Sequence, residues 1–293
     1  MSDRPPDVAG RDGADGDGTG RDGVSRDGAD RTFFVNVGPT RIRVRTAGDG
    51  PPLLLVMGIG GNLDMWQPLA GSLHGRKLIM FDFPGTGGST LSFLPPTMGF
   101  NALMVRLLLK RLNVAKLDVL GYSWGGILAQ HLAIQHPRCV RRLVLVATTV
   151  GLGGKPPPLD VAVRLSTPLR YYSRSYFRDV APGLYGGRYR TDPEMVEVHA
   201  SSRTGWPPSP LGYLAQLGAL AGYSTLPGLP FVKARTLVLA GGDDPIVDTF
   251  NPRLIARLVR RSQLTVVPDA GHLLLVDSPE VAAPLIEEFL VAP

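Results

Sequence analysis

The stretch Gly121-Tyr122-Ser123-Trp124-Gly125-Gly126 constrains this chain more than any other. A largely apolar run at 117–120 leads into it, and a helical pattern at 127–136 leads out. A strand that turns tightly and passes at once into a helix brings the two elements close together. Their contact needs small residues, and the residue at the apex is forced into an unfavourable backbone conformation. That apex is Ser123. Such a turn holds the hydroxyl clear of the sheet, and the next amide, that of Trp124, opens a helix where negative charge is favoured. A nucleophile and half of an oxyanion hole are therefore expected here. Gly-x-Ser-x-Gly is a short pattern, so the strand before it and the helix after it carry the assignment.

The rest of the chain supplies strands alternating with helices. The runs at 32–37 and 41–46 alternate in apolar character and predict an opening hairpin. Continuous apolar runs at 52–57, 77–82, 142–147, 236–240 and 263–267 predict strands buried on both faces of a parallel sheet. Helical periods cover 98–112, 252–260 and 279–290, the last with Ser278 as N-cap and Pro279 at its first position. The fold class is α/β, a mainly parallel central sheet covered by helices on both faces. Gly58-Ile59-Gly60-Gly61 and Asp82-Phe83-Pro84-Gly85-Thr86-Gly87-Gly88-Ser89 follow two of the strands as glycine-rich loops.

Between 151 and 230 the rhythm breaks. Seven of the eight tyrosines fall between Tyr171 and Tyr223, amid many Pro and Gly. This span predicts a cap inserted over the strand ends, where open α/β sheets bind ligands. Segments 31–150 and 231–293 then form the core. Tyr171, Tyr172, Tyr176 and Trp206 are candidates for lining an apolar substrate channel, the alternative being packing within the cap.

Residues 1–30 hold eight Asp against four Arg in repeated Arg-Asp-Gly and Asp-Gly units, with almost nothing apolar. Such a segment cannot offset its ordering entropy and is expected to be a disordered tail. It lacks the acidic spacing of a calcium loop. The net charge of +6 leaves about +10 on the remainder, but no Lys/Arg block exceeds two residues. A dispersed basic surface follows, and no nucleic-acid partner is expected. Cys139 is the sole cysteine, which excludes an internal disulfide and a cysteine-based metal cluster. No apolar run is long enough for a transmembrane segment, and Met1-Ser2-Asp3-Arg4-Pro5-Pro6 has no apolar leader pattern, so a cytoplasmic enzyme is expected.

A serine nucleophile needs a base, and the base needs an acid to orient it. Of the five histidines, His74, His131, His136 and His199 read as structural or solvated. His272 follows the last strand in Asp269-Ala270-Gly271-His272, at the sheet edge where Ser123 lies. For the acid, Gly241-Gly242-Asp243-Asp244-Pro245 follows the strand at 236–240. Asp244, before a proline and an aliphatic pair, is the candidate and Asp243 the alternative. The order Ser, Asp, His is that of the α/β-hydrolases.

From about Thr32 to the C-terminus the chain resembles a capped α/β-hydrolase, and most of all the intracellular poly(3-hydroxyalkanoate) depolymerases that act on medium-chain-length polyester. The likeness rests on Gly58-Ile59-Gly60-Gly61-Asn62-Leu63, on Phe81-Asp82-Phe83-Pro84-Gly85-Thr86-Gly87-Gly88-Ser89 and on Ser123-Trp124-Gly125-Gly126. Ala181-Pro182-Gly183-Leu184-Tyr185-Gly186-Gly187 in the cap and Leu239-Ala240-Gly241-Gly242-Asp243-Asp244-Pro245 extend it. Two features depart from the family: Tyr122, where its elbow has a small aliphatic residue, and the Asp-Gly tail. Tyr122 is expected to reshape the floor of the site. The resemblance implies a serine esterase with Ser123, Asp244 and His272 as triad. It also implies an oxyanion hole from the backbone N–H groups of Ile59 and Trp124, an acyl-enzyme, no metal and no cofactor. It further implies an apolar ester or polyester substrate and association with polyester granules. A general carboxylesterase or lipase, a carbon–carbon bond hydrolase and a cofactor-free perhydrolase or haloperoxidase are the alternatives on the same triad.

Overall fold

Side-chain alternation in the central strands sets the layers. In β3 (Pro52–Val56) Leu53 and Leu55 enter one apolar cluster while Leu54 and Val56 enter the other, and all four are fully buried. Each such leucine contributes about 1.5–3 kcal/mol relative to exposure. Only a sheet covered on both faces can absorb that pattern. The computed structural model describes residues 30–92 and 96–292, with the side chains of 202 and 204 left aside. The tail expected at 1–30 lies outside them except for Asp30, whose carboxylate accepts from Arg45 Nε at 2.7 Å.

The strands are β1 (Arg31–Val37), β2 (Thr40–Ala47), β3, β4 (Lys77–Phe81), β5 (Leu117–Tyr122), β6 (Val140–Val146), β7 (Arg235–Gly241) and β8 (Ser262–Val267). They form one sheet in the order β1-β2-β4-β3-β5-β6-β7-β8. The β1/β2 hairpin and the β2/β4 pair are antiparallel, and every other pair is parallel. In chain order the helices are α1 (Gln67–Ala70), α2 (Met98–Arg111), α3 (Trp124–Gln135), α4 (Leu159–Leu165), α5 (Leu169–Tyr172), α6 (Arg174–Tyr185), α7 (Pro193–Thr204), α8 (Pro210–Leu220), α9 (Phe250–Leu258), α10 (Leu274–Asp277) and α11 (Pro279–Val291). Side chains of α2, α3 and α9 pack on one face of the sheet, and those of α1, α10 and α11 on the other. None of these helices is long and apolar enough to cross a membrane.

Local chemistry explains the boundaries. Thr97 caps α2 by accepting from the Phe100 amide at 3.3 Å, and Lys110 and Arg111 sit in its last turn, where the dipole favours cations. Helix α9 begins two residues before the expected 252 because Asp248 Oδ1 accepts from the Phe250 amide at 2.8 Å and starts the turn early. Pro252 is tolerated because it lies in the first turn. Ser278 does precede α11, but its side chain makes no capping hydrogen bond.

Segment 151–230 carries α4 to α8 and is packed largely by aromatic rings. Phe177, Tyr185 and Tyr189 lie within 5.5–6.3 Å of one another, and the His199 ring is 5.5 Å from that of Tyr189. Burial pushes His199 down to about 4, with the nearby Arg203 and Arg188 acting in the same sense. At the end of the sheet away from Ser123, fully buried Asp118 in β5 accepts from Arg76 Nη1 at 2.8 Å and from Arg141 Nε at 2.8 Å. Arg76 also donates to the Leu290 carbonyl, so this carboxylate ties β5 and β6 to α11.

Two predictions follow from this packing. Asp118→Ala strands a buried guanidinium and is expected to lower stability by about 3–5 kcal/mol in urea unfolding. Because His199 is held neutral, the stability it contributes is complete above pH 6.5 and is lost as pH falls through about 4. His199→Gln should therefore flatten the acid limb of a Tm-against-pH curve in that window.

Candidate active site

The turn after β5 has the geometry its glycines imply. Ser123 sits at φ 53° and ψ −120°, and Trp124 is the first residue of α3. A Cβ on Gly125 would lie 2.1 Å from the Val56 carbonyl oxygen, and one on Gly121 would lie 2.5 Å from the Ala129 Cβ. Strand and helix therefore touch backbone to backbone, and no larger residue fits. The Ser123 amide donates to the Val146 carbonyl at 2.9 Å, and its carbonyl accepts from Thr148 Oγ1 at 2.7 Å.

His272 and Asp244 converge on this serine. His272 Nε2 lies 3.0 Å from Ser123 Oγ, and His272 Nδ1 lies 2.8 Å from Asp244 Oδ2. Asp244 Oδ1 accepts from the amides of Ile246 and Val247 at 2.8 and 2.9 Å, which orients its carboxylate. The side chains of His272 and Asp244 are only 4% and 1% exposed, so their interaction is little screened. Asp243, one residue earlier, turns the other way. Its carboxylate accepts from the Gly187 amide at 2.7 Å and from Arg190 Nε at 2.8 Å. Of the two aspartates left open by the sequence, Asp244 is the one brought to His272. None of the other histidines lines the cavity above Ser123.

Loop 58–61 lies beside the serine, a Cβ on Gly58 falling 3.3 Å from that of Ser123, and Ile59 and Trp124 both line the cavity. The amide of a first helical residue has no intrahelical acceptor, which suits Trp124 to an oxyanion. The loop is pinned from segment 151–230: Tyr171 donates its hydroxyl to the Ile59 carbonyl at 2.6 Å, and Gln216 Oε1 accepts from the Gly60 amide at 2.8 Å. Behind it, fully buried Asp82 accepts from the amides of Leu63 at 2.6 Å and Gly88 at 2.8 Å. Burial pushes the Asp82 carboxyl up, opposed by those two amides and by Arg43.

The cavity holds about 490 Å³ and is walled mainly by apolar groups, among them Met57, Met65, Leu217, Leu220 and Ile246. Tyr122 and Tyr171 line it. Tyr122 also donates its hydroxyl to the His272 carbonyl at 3.0 Å, and burial holds its phenol well above the ordinary value, so it stays a neutral donor. Tyr172, Tyr176 and Trp206 do not line the cavity. Tyr172 follows Tyr171 by about 100° of helical turn and donates instead to the Pro208 carbonyl. Tyr176, half-buried, packs against the apolar cluster that holds Tyr171 and Phe177, and Trp206 lies at the surface under the Arg43 guanidinium, whose Cζ is 4.9 Å from its ring centre. Tyr185 belongs to the motif at 181–187, and nothing in the sequence marks it as a site residue. Its ring stacks 6.4 Å from that of His272, and its carbonyl accepts the His272 amide at 2.7 Å. Arg170 and Arg203 line the cavity too, and no pattern in the sequence pointed to either. Among the described residues no group of three or more His, Cys, Asp or Glu is placed to hold a metal ion.

Comparison with known proteins agrees with this architecture. The family described as alpha/beta hydrolase fold matches residues 51–279. The poly(3-hydroxyalkanoate) depolymerase of Ectopseudomonas oleovorans is 38% identical over 82% of this chain and 84% of its own length. 3-Oxoadipate enol-lactonase 2 of Acinetobacter baylyi is 26% identical over 79% of this chain and 85% of its own. Among solved structures, a hydrolase from Pseudomonas aeruginosa PA01 superposes with a TM-score of 0.76 at 25% identity, covering 89% of this chain and 98% of that one. The chain belongs to the α/β-hydrolase family and is related within it to poly(3-hydroxyalkanoate) depolymerase.

Proposed function

We propose that the protein is a serine ester hydrolase that cleaves medium-chain-length poly(3-hydroxyalkanoate). The observation that carries this reading is the hydrogen-bonded line from Ser123 through His272 to Asp244, opening into an apolar cavity. The polyester substrate is drawn from the 38% identical relative. Segment 151–230 acts as the cap over the core formed by 31–150 and 231–293.

In this mechanism His272 Nε2 takes the proton of Ser123 as its oxygen attacks the ester carbonyl. Asp244 holds the ring in the tautomer that presents Nε2 and stabilises the imidazolium. The tetrahedral oxyanion is held by the backbone N–H groups of Ile59 and Trp124. Collapse breaks the C–O bond, and His272 returns the proton to the departing alcohol. Water, deprotonated by the same nitrogen, then releases the acid and restores Ser123. Neither a metal nor a cofactor enters any step.

The polymer itself is too large for the cavity, so part of the surface must meet it. Leu159, Val163, Leu169, Trp206, Leu211 and Leu214 are exposed on segment 151–230. Apolar side chains gathered on one segment suit contact with a hydrophobic polyester surface. The kinship with 3-oxoadipate enol-lactonase 2 favours a second reading, hydrolysis of small esters or lactones by the same residues.

The deciding experiment measures 3-hydroxy acid release from amorphous medium-chain polyester granules beside hydrolysis of p-nitrophenyl octanoate, with Ser123→Ala as control. Polymer turnover that vanishes in the variant is expected, whereas ester turnover without polymer release would favour the small-ester reading. Asp244→Asn should lower kcat by about four orders of magnitude. Asp243→Asn should stay within about tenfold of wild type and lose about 1 kcal/mol of stability. Leu159→Asp with Leu211→Asp should depress granule turnover well below that of the soluble ester, and an equal loss on both would remove the docking role.

A further inference from the structure

Two arginines in the cavity wall are not used by ester hydrolysis at Ser123. Arg170 and Arg203 are only 2% and 3% exposed, and both line the cavity. Arg170 donates from Nη1 to the Thr167 carbonyl at 2.9 Å and from Nη2 to the Tyr213 hydroxyl at 2.8 Å, while its Nε is buried with no partner. Arg203 donates from Nη1 to the Tyr185 hydroxyl at 3.2 Å. Among the described residues neither forms an ion pair, although the other buried arginine, Arg76, is paired with Asp118.

The two guanidiniums share a neighbour. The Cζ of Arg170 lies 4.8 Å, and that of Arg203 5.5 Å, from the centre of the Tyr171 ring. Arg203 also lies 5.1 Å from the Phe177 ring and 5.0 Å from the Tyr185 ring. Aromatic faces offset part of the cost of burying a cation. They do not neutralise it, and two like charges beside one apolar cavity make the binding of an anion there favourable. The acid at hand, Asp244, is committed to His272 and two backbone amides. Tyr185 stacks on His272, so Arg203 stands one ring away from the reacting centre.

We propose that Arg170 and Arg203 form a carboxylate subsite that binds the free acid group of a medium-chain 3-hydroxyalkanoate unit. The proposal rests on the esterase reading of the same cavity. A planar guanidinium matches a carboxylate in shape as well as charge. Two sources present that group: the acid end of an oligomer, whose last ester bond it would align with Ser123, and the hydroxy acid released by turnover.

The test begins with binding, which needs no turnover. Calorimetry on the folded Ser123→Ala protein compares 3-hydroxyoctanoate with its neutral amide. The acid is expected to bind at least about tenfold more tightly, with an advantage that shrinks as salt rises from about 50 to about 500 mM. Arg170→Gln and Arg203→Gln, checked for folding by thermal melts, should bring the acid-to-amide ratio close to one, and Arg203→Lys should restore part of it. Equal binding of acid and amide to the Ser123→Ala protein overturns the proposal whatever the arginine variants do. Kinetics then separate the sources. A kcat/KM at least about tenfold higher for the 3-hydroxyoctanoate dimer as free acid than as methyl ester assigns the subsite to the chain end. Competitive inhibition by the monomer acid without that preference assigns it to the product. Failure to hydrolyse any ester would sink the esterase reading alone and leave the binding comparison readable.

Discussion

The backbone of Ser123 occupies a conformation that an L-residue avoids, at a cost of about 1–3 kcal/mol, and the rest of the site is arranged around keeping it there. The Val146 carbonyl and the Thr148 hydroxyl hold the two ends of the serine from β6 and the residues just after it. The glycines beside it allow α3 to sit directly on β3 and β5. That contact aims the start of the helix at the cavity and holds the hydroxyl above the sheet. If the turn relaxed, the serine would lose at once its reach to His272 and its place beside the Trp124 amide.

Segment 151–230 is hydrogen-bonded to several points of this constellation. The Tyr185 carbonyl accepts the His272 amide, Tyr171 holds the Ile59 carbonyl, and Gln216 holds the Gly60 amide. The indole N–H of Trp124 donates to the Gln216 carbonyl at 2.9 Å, which links the elbow to α8. The histidine loop and loop 58–61 are thus positioned partly by residues 87 to 156 places away in the chain. The aromatic packing of Phe177, Tyr185 and Tyr189 stiffens this scaffold, since it ties α6 to the turn at 187–190 through rings 5.5–6.3 Å apart.

Elements whose signal is local were readable from the residues. The strands announced themselves as apolar runs, the elbow by its glycines, and His272 by its place after the last strand. The pair Asp243 and Asp244 could be narrowed but not resolved, because the direction of each carboxylate depends on amides folded against it: Ile246 and Val247 for one, Gly187 for the other. Side chains of segment 151–230 carry a weaker signal. A tyrosine pair such as Tyr171 and Tyr172 looks equivalent until a short helix turns one toward the cavity and the other away. Arg170 and Arg203 carried no signal, since a buried arginine and a solvated one are the same letter. Only the surrounding rings, contributed by α5, α6 and α8, distinguish them.

The two adjacent aspartates also bear on how this protein can change. Loops after parallel strands usually accept insertions and deletions freely. Here one carboxylate orients the histidine and its neighbour anchors Gly187 and Arg190, so two consecutive peptide units carry a chemical and a mechanical task at once. Adding or removing a single residue would exchange or misdirect both. Variation in length must therefore accumulate elsewhere, and the span from Gly241 to Pro245 acts as a fixed ruler against which the rest of the sheet edge is measured.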